Sequence, residues 1–321
     1  MSVFSTNVLY RPETLQQRFL PEGPYPYGSN KLSWVAIQHG ADATHGSINI
    51  FDPAAGTNEG FELTGRPGFA FPTDMPGTFV VGQEKQVGLF DTSTGGWSHF
   101  QGDLEPGVDG TVINDGVVFS GGLVFGCKDL NFAESKAGLY LWRRSDRQFI
   151  QLRNDQVCSN GKIVTGTGTG TGDQVTLLDI DTPTKTVVRY TLDVAAGTLS
   201  EPEIVVDLRE RTDFPDGMIA TPDAQGVIIA FYNPNDVEFG EACQFSLADG
   251  SVQATWTTAR SPRVTCPQLV DFNGRIQLVL TTADEGMTPE QQARHVNAGC
   301  LFIGETDFDS LPETPVFEIP A

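Results

Sequence analysis

The stretch Phe51-Asp-Pro-Ala-Ala-Gly56 decides the fold class of this chain, because close variants of it recur along the sequence. Each copy ends an apolar run, continues with an Asp that can bond its own downstream backbone, and closes with a Gly that tolerates a positive φ. The pattern predicts a series of similar β-hairpins. The further copies are Phe90-Asp-Thr-Ser-Thr-Gly95, Leu192-Asp-Val-Ala-Ala-Gly197 and, shortened, Leu247-Ala-Asp-Gly250.

The spacing of these hairpins favours the blades of a β-propeller, which repeat roughly every forty to sixty residues. Dividing the 321 residues by six leaves about 53 residues per blade, enough for four strands and their loops. An open β-sandwich with coincidental turns is the alternative. Helical periodicity is nearly absent, and only the stretch from Pro289 to His295 predicts a short helix. We therefore expect an all-β protein, with residues 1–321 forming one propeller domain.

The charge balance excludes several classes of partner. The chain has 41 acidic and 20 basic residues and a formal net charge of −21. Binding to nucleic acid requires a basic footprint, and the longest basic cluster is the pair Arg143–Arg144. An anionic membrane surface is disfavoured for the same reason. The acidic excess predicts a solubilising surface, and hydrophobic residues at 39% are sufficient for a packed core.

The cysteines and the apolar runs predict a cytoplasmic protein. Five cysteines are scattered without a CxxC pair, so a thiolate zinc site is unsupported and free buried thiols in a reducing compartment are expected. The first eighteen residues contain no apolar core typical of a signal peptide. No run of about 18 apolar residues predicts a transmembrane helix.

Four short segments place a carboxylate or an amide before a glycine, each in a different predicted blade. For any one of them, a hairpin turn ahead of a strand is the simpler interpretation, because Asn-Gly and Asp-Gly are common turn signals. Together, one oxygen donor per blade is typical of a site for a hard cation such as Ca²⁺, Mg²⁺ or Mn²⁺, or for a permissive Zn²⁺ site. The segments are Glu22-Gly-Pro, Asn114-Asp115-Gly, Ser159-Asn160-Gly and Pro215-Asp216-Gly-Met.

These segments and the motifs that follow them resemble the senescence-marker-protein-30, gluconolactonase and luciferin-regenerating-enzyme family. The similarity rests on the order and spacing of the motifs over most of the chain. After the four segments come Phe231-Tyr-Asn, Arg263-Val-Thr-Cys, Leu278-Val-Leu-Thr-Thr, the run beginning Asp284-Glu-Gly-Met-Thr-Pro-Glu, and Ala298-Gly-Cys-Leu-Phe.

The resemblance implies a six-bladed propeller of four-stranded antiparallel blades around a central channel that binds one divalent metal ion. Carried over by position, Glu22, Asn160 and Asp216 would be the metal ligands, with Ca²⁺ the first choice among the ions named above. Asp216 would also be the general acid and base, and Asn114 would contact the substrate or complete the metal shell. The implied reaction is hydrolysis of a small sugar-type lactone.

Two departures from the family pattern make the substrate an open question. Val112 stands where related gluconolactonases often have an arginine. The expected loop Gly126-Cys-Lys-Asp-Leu-Asn131 stands where they have an acidic residue that touches the sugar hydroxyls. We expect Lys128 to supply the missing positive charge to the substrate, whereas a solvated loop lysine is the alternative. Asp115 and Asp129 could support the site or cap turns.

Two alternative functions remain at this point. Phosphotriester or other ester hydrolysis at the same metal would fit a more apolar pocket, which Val112, Leu123 and Phe125 slightly favour. A calcium-binding propeller without enzymatic activity is the other.

Overall fold

Short β-strands account for nearly all of the regular structure. The computed structural model describes residues 2–101, 104–166, 168 and 174–319. The elements are β1 Ser2–Ser5, β2 Asn7–Tyr10, α1 Leu15–Arg18, β3 Pro21–Tyr27, β4 Lys31–Ala36, β5 Gly46–Asp52, β6 Thr57–Leu63, β7 Pro67–Pro72, β8 Thr78–Gln83, β9 Gln86–Asp91, β10 Gly96–Gln101, β11 Thr111–Phe119, β12 Gly122–Asp129, β13 Ala137–Arg143, β14 Gln148–Gln156, β15 Ser159–Thr165, β16 Gln174–Asp181, a 3₁₀ turn Thr182–Thr184, β17 Thr186–Asp193, β18 Thr198–Leu199, β19 Glu203–Asp207, β20 Phe214–Ala220, β21 Gly226–Tyr232, β22 Phe239–Ser246, β23 Val252–Ala259, β24 Val264–Asp271, β25 Ile276–Thr282, α2 Pro289–Arg294 and β26 Leu301–Glu305.

The strands form six sheets, and the fold is a six-bladed β-propeller, which confirms the fold class expected from the sequence. The chain divides into two compact units of three sheets each. The first unit comprises Met1–Pro67 and Glu210–Glu313, and the second comprises Gly68–Arg209 and Thr314–Ala321.

In the first unit, two strands from the start of the chain join sheets formed near its end. Strands β3 to β6 form one sheet in sequence order, and β20 to β23 form a second, to which β1 adds in parallel beside β23. The third sheet has the order β2-β26-β25-β24. Its outermost strand is therefore supplied by the first ten residues, which pair antiparallel with β26.

In the second unit, consecutive strands form all three sheets. Their orders are β10-β9-β8-β7, β11-β12-β13-β14 and β15-β16-β17-β18, and β19 also pairs with β17. Neighbouring sheets pack apolar side chains between them. Val124 and Leu141 of one sheet, for example, belong to the same buried cluster as Leu177 and Leu192 of the next. Burial of each such side chain stabilises the fold by about 1.5–3 kcal/mol.

The repeated Asp…Gly segments are the hairpins between the third and fourth strands of four sheets. In the three full copies, the closing Gly has a φ of +66° to +67° and donates its amide to the carbonyl of the Asp at 2.8 Å. The Asp52 carboxylate accepts bonds from the amides of Ala54 and Ala55, at 3.0 and 3.1 Å. The turn chemistry predicted from the sequence is therefore confirmed. The full copies join β5 to β6, β9 to β10 and β17 to β18, and the short one joins β22 to β23.

Two further sequence expectations are confirmed. The short helix near the C-terminus is α2, which begins with a capping box between Thr288 and Gln291. All five cysteines are free thiols, of which only Cys266 is partly exposed. Among the residues that the structure describes, no helix is long and apolar enough to cross a membrane.

Candidate functional site

The four polar segments lie inside strands, at β-bulges in the innermost strand of four different sheets. The pairing with the next strand shifts between Glu22 and Tyr25 in β3 and between Ile113 and Asp115 in β11. It also shifts between Asn160 and Lys162 in β15, and between Pro215 and Met218 in β20. The expectation of turns ahead of a strand was wrong, whereas the distribution over four blades is confirmed.

At two of the bulges, the structure shows why a glycine follows the polar residue. A bulge leaves one residue out of the strand pairing and turns its side chain to a new direction. Gly23 takes a φ of +52°, which an L side chain adopts only at a cost. A Cβ added at Gly217 would lie 2.6 Å from Sγ of Cys266, so this position must approach β24 closely. The sequence signal that resembled a turn is therefore the signal of a re-aimed polar side chain.

In the first unit, Glu22 and Asp216 lie on strands that both contact β24. Oγ1 of Thr265 in β24 donates to the carbonyl of Pro21, next to Glu22, at 2.7 Å. On its other side, β24 is approached by Gly217, next to Asp216. Both carboxylates are partly buried, and Oε2 of Glu22 accepts the amide of Gly23 at 2.8 Å. Each carboxylate is thus held on a rigid strand beside the same neighbouring strand.

A cluster beside Asp216 was not predicted from the sequence. The hydroxyl of Tyr232 donates to the carbonyl and to Oε2 of Glu285 at 3.2 and 3.3 Å, and the guanidinium of Arg263 lies 5.5 Å from the Tyr232 ring. Burial raises the pKa of Tyr232, and the charges of Glu285 and Asp216 raise it further, against Arg263. Tyr232 is therefore a neutral donor near Asp216. Its motif was visible in the sequence, but no local pattern indicated these contacts.

Asp284, at the end of the same cluster, carries a perturbed carboxyl. Its burial raises the pKa to about 6, although the nearby charges of Arg18 and Arg263 oppose the rise. The residue is 4% exposed. At neutral pH, ionisation of such a buried carboxyl costs free energy in the folded protein, because its surroundings disfavour the charged form.

In the second unit, the structure brings Asn114 and Asn160 into direct contact. Nδ2 of Asn114 donates to Oδ1 of Asn160 at 3.0 Å and to the carbonyl of Ser159 at 2.8 Å. Nδ2 of Asn160 donates to Oγ1 of Thr182 at 2.8 Å. Both amides therefore have defined orientations, and the oxygen of Asn160 keeps one lone pair beyond that used by Asn114. Among the described residues, none donates a hydrogen bond to Oδ1 of Asn114.

Buried charges hold the strand that carries Asn160. Nζ of Lys162 donates to the carbonyl of Asn160 at 2.6 Å and lies 3.6 Å from Oδ1 of Asp179, with both side chains almost fully buried. The carboxylate of Asp181 accepts the amides of Val157 and Cys158. These contacts fix the backbone on both sides of Asn160.

Asp115 and Asp129 have different roles. Asp129 is a turn cap, because its carboxylate accepts the amides of Asn131, Ala133 and Glu134, and these bonds lower its pKa to about 2. Burial raises the pKa of Asp115, with the charge of Lys162 opposing the rise. The Asp115 carboxylate accepts the amide of Gly116 at 2.6 Å.

Lys128 lies on a strand and not in a loop, which corrects the expectation from the sequence. It belongs to β12 and pairs directly with Val112 of β11, so the two side chains share one face of the sheet. Its Nζ lies 5.6 Å from the centre of the Phe132 ring. Within the described part of the chain, no oxygen accepts a hydrogen bond from this ammonium group, which is partly buried.

The apolar pocket considered for Leu123 and Phe125 is not formed by these residues. Both side chains have 0% exposure, and the Phe125 ring stacks on Tyr140 at 5.4 Å between centroids. They are core residues of the β11–β14 sheet. Val112 is itself 3% exposed, so the sequence observation that favoured a phosphotriester substrate has no support from these three residues.

Taken by itself, each unit presents oxygen donors. The first has the two carboxylates of Glu22 and Asp216, and the second has the amide oxygens of Asn114 and Asn160. Such oxygens are the ligands that Ca²⁺ and Mg²⁺ prefer. No thiolate or imidazole is among them.

The chain matches a described protein family over most of its length. A sequence profile of the SMP-30/Gluconolactonase/LRE-like region matches residues 20–284. YvrE of Bacillus subtilis (strain 168), named as a proposed sugar lactone lactonase, is 31% identical over 140 residues. This alignment covers 42% of the chain and 44% of YvrE, so the chain matches less than half of that relative's length.

Two solved structures share the fold. The calcium-binding protein regucalcin of Agrobacterium tumefaciens strain C58 superposes with a TM-score of 0.76 at 20% identity, covering 98% of this chain and 99% of that one. A luciferin-regenerating enzyme superposes with a TM-score of 0.76 at 16% identity, covering 93% of this chain and 95% of that one. At these identities, the likeness concerns the fold.

Proposed function

Because the chain belongs to the SMP-30/gluconolactonase/LRE-like family, we propose that it hydrolyses a small, hydroxylated lactone with the help of one divalent metal ion. The observation that carries the proposal is the placement of the four family motifs. Each lies at a β-bulge in an innermost strand, where its polar side chain is turned out of the regular pairing. The name of the partial relative YvrE points to the same class of substrate.

We assign Glu22, Asn160 and Asp216 as ligands of the metal ion, with Ca²⁺ as the first choice. The oxygen-only donor set supports a hard cation over a soft one. When bound, such an ion polarises the lactone carbonyl and stabilises negative charge on its oxygen. The contact from Asn114 helps to orient the amide of Asn160, together with the bond from Asn160 to Thr182.

Asp216 is the proposed general acid and base. Its carboxylate takes a proton from the attacking water as the water oxygen bonds to the carbonyl carbon. When the bond between that carbon and the ring oxygen breaks, Asp216 returns the proton to the leaving oxygen, which becomes a hydroxyl. The other end of the same opened molecule is a carboxylic acid, which keeps the second proton of the water and releases it to solvent as it ionises.

Asn114 and Lys128 are the proposed substrate contacts. The Oδ1 of Asn114 can accept a hydroxyl proton, since both hydrogens of its Nδ2 are already donated to protein oxygens. The ammonium of Lys128 can donate to hydroxyl or carboxylate groups of the substrate. Its position opposite Val112 supports it as the replacement for the family arginine.

A screen of lactones tests the function. Chelator-treated protein is assayed with a pH indicator against aldonolactones and other lactones, with Ca²⁺, Mg²⁺, Mn²⁺ and Zn²⁺ added separately. We expect turnover of at least one lactone, lost on chelation and restored by metal. A chelated protein that retains its full rate would contradict the metal requirement. Absence of turnover, combined with a metal-dependent rise in melting temperature, would instead support a binding protein.

Two variants separate the roles of the carboxylates. Asp216→Asn retains an oxygen ligand but cannot transfer a proton, so we expect turnover to fall by about 10²–10⁴-fold while the metal still raises the melting temperature. Glu22→Gln should lower both the turnover and the metal-dependent rise in melting temperature. Glu201→Gln, at an exposed position, is the matched control and should retain the wild-type rate. Equal rates in Asp216→Asn and the control would refute the role of Asp216.

A further inference from the structure

Two histidines and a glutamate meet at the end of the β3–β6 sheet, outside the residues assigned above. His39 and His45 both lie in the segment of residues 37–45 between β4 and β5, and Glu62 lies on β6. Glu62 pairs directly with Ser47, two residues beyond His45. Since alternate residues of a strand share a face, this register places Glu62 beside His45.

The backbone of the segment holds the two histidines opposite each other. The amide of His39 donates to the carbonyl of His45 at 3.2 Å, and Ala43 closes a turn onto Gly40 at 3.1 Å. The side-chain amide of Gln38 donates to the carbonyls of Gly40 and Ala41, at 2.6 and 2.8 Å. The approach of the imidazoles is therefore built into the loop.

The ligand atoms of the three side chains converge. Nδ1 of His39 lies 3.5 Å from Oε2 of Glu62, and the two imidazole rings lie 5.2 Å apart at 74°. One nitrogen from each imidazole and one Glu62 oxygen all lie within 4.8 Å of one another. Ligands of a tetrahedral zinc ion are about 3.3 Å apart, given bonds of about 2 Å. A small rotation of the exposed Glu62 and His45 side chains closes this gap.

A buried hydrogen-bond chain supports His39 from behind. Its Nε2 lies 3.0 Å from Oγ of Ser47, which also accepts Nδ2 of Asn49 at 3.0 Å. The oxygen of Asn49 in turn accepts Nδ2 of Asn58 at 2.9 Å, and the indole of Trp34 donates to Asn58 at 3.0 Å. Ser47 and Asn49 are almost fully buried. Fixing the second nitrogen of a histidine in this way is typical of metal ligands.

The contacts of His39 leave its Nδ1 on the side of Glu62. Its side chain is 5% exposed. A neutral imidazole offers a lone pair at Nδ1 when Nε2–H donates to Ser47, whose oxygen has two lone pairs for its two donors.

From these contacts we propose that His39, His45 and Glu62 form a binding site for a divalent transition-metal ion, with zinc the first choice. Two imidazoles and one carboxylate suit Zn²⁺, Ni²⁺ or Cu²⁺, whereas Ca²⁺ requires an oxygen shell. The site therefore differs in metal preference from the oxygen-only set assigned to the lactonase reaction. With three protein ligands, it leaves a fourth position for water or another donor.

Nuclear magnetic resonance of the histidine rings tests the site without reference to activity. The chain has only four histidines, His39, His45, His99 and His295, so ¹⁵N labelling of their rings gives a small set of signals. We expect Zn²⁺ added to the chelator-treated, full-length protein to shift the ring signals of His39 and His45, and Ca²⁺ to leave them in place. Unchanged His39 and His45 signals at millimolar Zn²⁺ would overturn the proposal.

Variants at the two exposed ligands provide the matched comparison. His45→Ala and Glu62→Gln should each raise the Zn²⁺ concentration that gives half of the maximal shift of the His39 signals by about tenfold or more. One of three protein ligands is lost in each variant. Glu59→Gln, exposed on the same strand, should titrate as the wild type does. Melting temperatures without metal check that the variants fold. Wild-type titration by both ligand variants would also overturn the assignment.

Discussion

Nδ2 of Asn114 donates to Oδ1 of Asn160 at 3.0 Å, which joins the bulge of β11 to the bulge of β15. The second hydrogen of the same nitrogen bonds the carbonyl of Ser159, so the amide of Asn114 has a single favourable orientation. The bond couples the directions of the two amides, which Ser159 and Thr182 also help to fix.

Asn114→Leu should weaken metal binding without removing any of the three assigned ligands. It preserves side-chain size but removes the donor that orients Asn160. Loss of such a supporting contact typically reduces metal affinity about 10–100-fold. The measurement is the Ca²⁺ concentration that gives half of the maximal rise in melting temperature. Asn154→Leu, at an exposed position of β14, is the control, and equal half-saturation in both variants would contradict the role of Asn114.

Lys128→Met should raise KM for the best lactone while leaving kcat nearly unchanged. Methionine keeps much of the side-chain stem but removes the charge, so the change isolates the proposed contact with substrate. We expect an increase of about tenfold, the effect of a binding loss of about 1.4 kcal/mol. Lys31→Met removes an exposed ion pair with Asp52 and should leave KM as it is. An unchanged KM in Lys128→Met would show that Lys128 does not contribute to substrate binding.

Asp284→Asn should stabilise the protein at neutral pH. The pKa of Asp284 rises from 3.8 to about 6 in the fold, so the folded protein holds this proton more tightly than the unfolded chain does. Wild-type stability attributable to Asp284 is therefore present below about pH 4 and is lost as the pH rises through about 6. Relative to the wild type, the variant should gain about 3 kcal/mol between pH 4 and pH 7, measured by urea unfolding.

The control variant, Asp249→Asn, should change stability with pH in the opposite direction. Hydrogen bonds from Ser251 lower the pKa of the exposed Asp249, so its ionised form is favoured in the fold. Asp249→Asn should therefore lose stability relative to the wild type as the pH rises past about 4. A stability difference for Asp284→Asn that is the same at both pH values would show that Asp284 ionises normally.

Asp129→Ala should destabilise the protein without changing the chemistry of the site. Three backbone amides lose their acceptor, and Lys136 loses its ion pair at 3.3 Å. We expect a loss of about 1–3 kcal/mol, because three backbone amides lose hydrogen bonds to a charged acceptor. Urea unfolding measures the loss in the free energy of unfolding. The control is Asp109→Ala, at an exposed position of the loop before β11, which should stay within about 0.5 kcal/mol of wild type. A rise in KM at unchanged stability would instead favour a role in the site.

The hairpins could be predicted from the sequence because their chemistry is local. The Asp and Gly of Phe51-Asp-Pro-Ala-Ala-Gly56 determine the turn by themselves, wherever the hairpin lies in the fold. The propeller and its blade repeat followed from that pattern. The six-bladed form came from the family resemblance, and the metal ligands assigned by it remain a prediction.

The bulges and the long-range contacts could not be predicted in the same way. Asn114-Asp115-Gly has the residues of a turn, and only its pairing with β12 reveals a bulge inside a strand. Lys128 looked like a loop residue because strand register is set by pairing, which a single sequence does not display. His39 and Glu62 are brought together by two hairpins, and no spacing rule for helical metal pairs describes them.

The pairing of β2 with β26 has a consequence for how the protein reaches its native state. Asn7 pairs with Ile303, so the last strand of this sheet gains its partner only when the two ends of the chain meet. Contacts at such large sequence separation form slowly, because a long segment must first be ordered between them. Until then, the outer edge of β26 is exposed and able to pair with another molecule. Refolding at low protein concentration should therefore give a higher yield than refolding at high concentration. Folding in which the first ten residues are available before β26 forms should have the same effect.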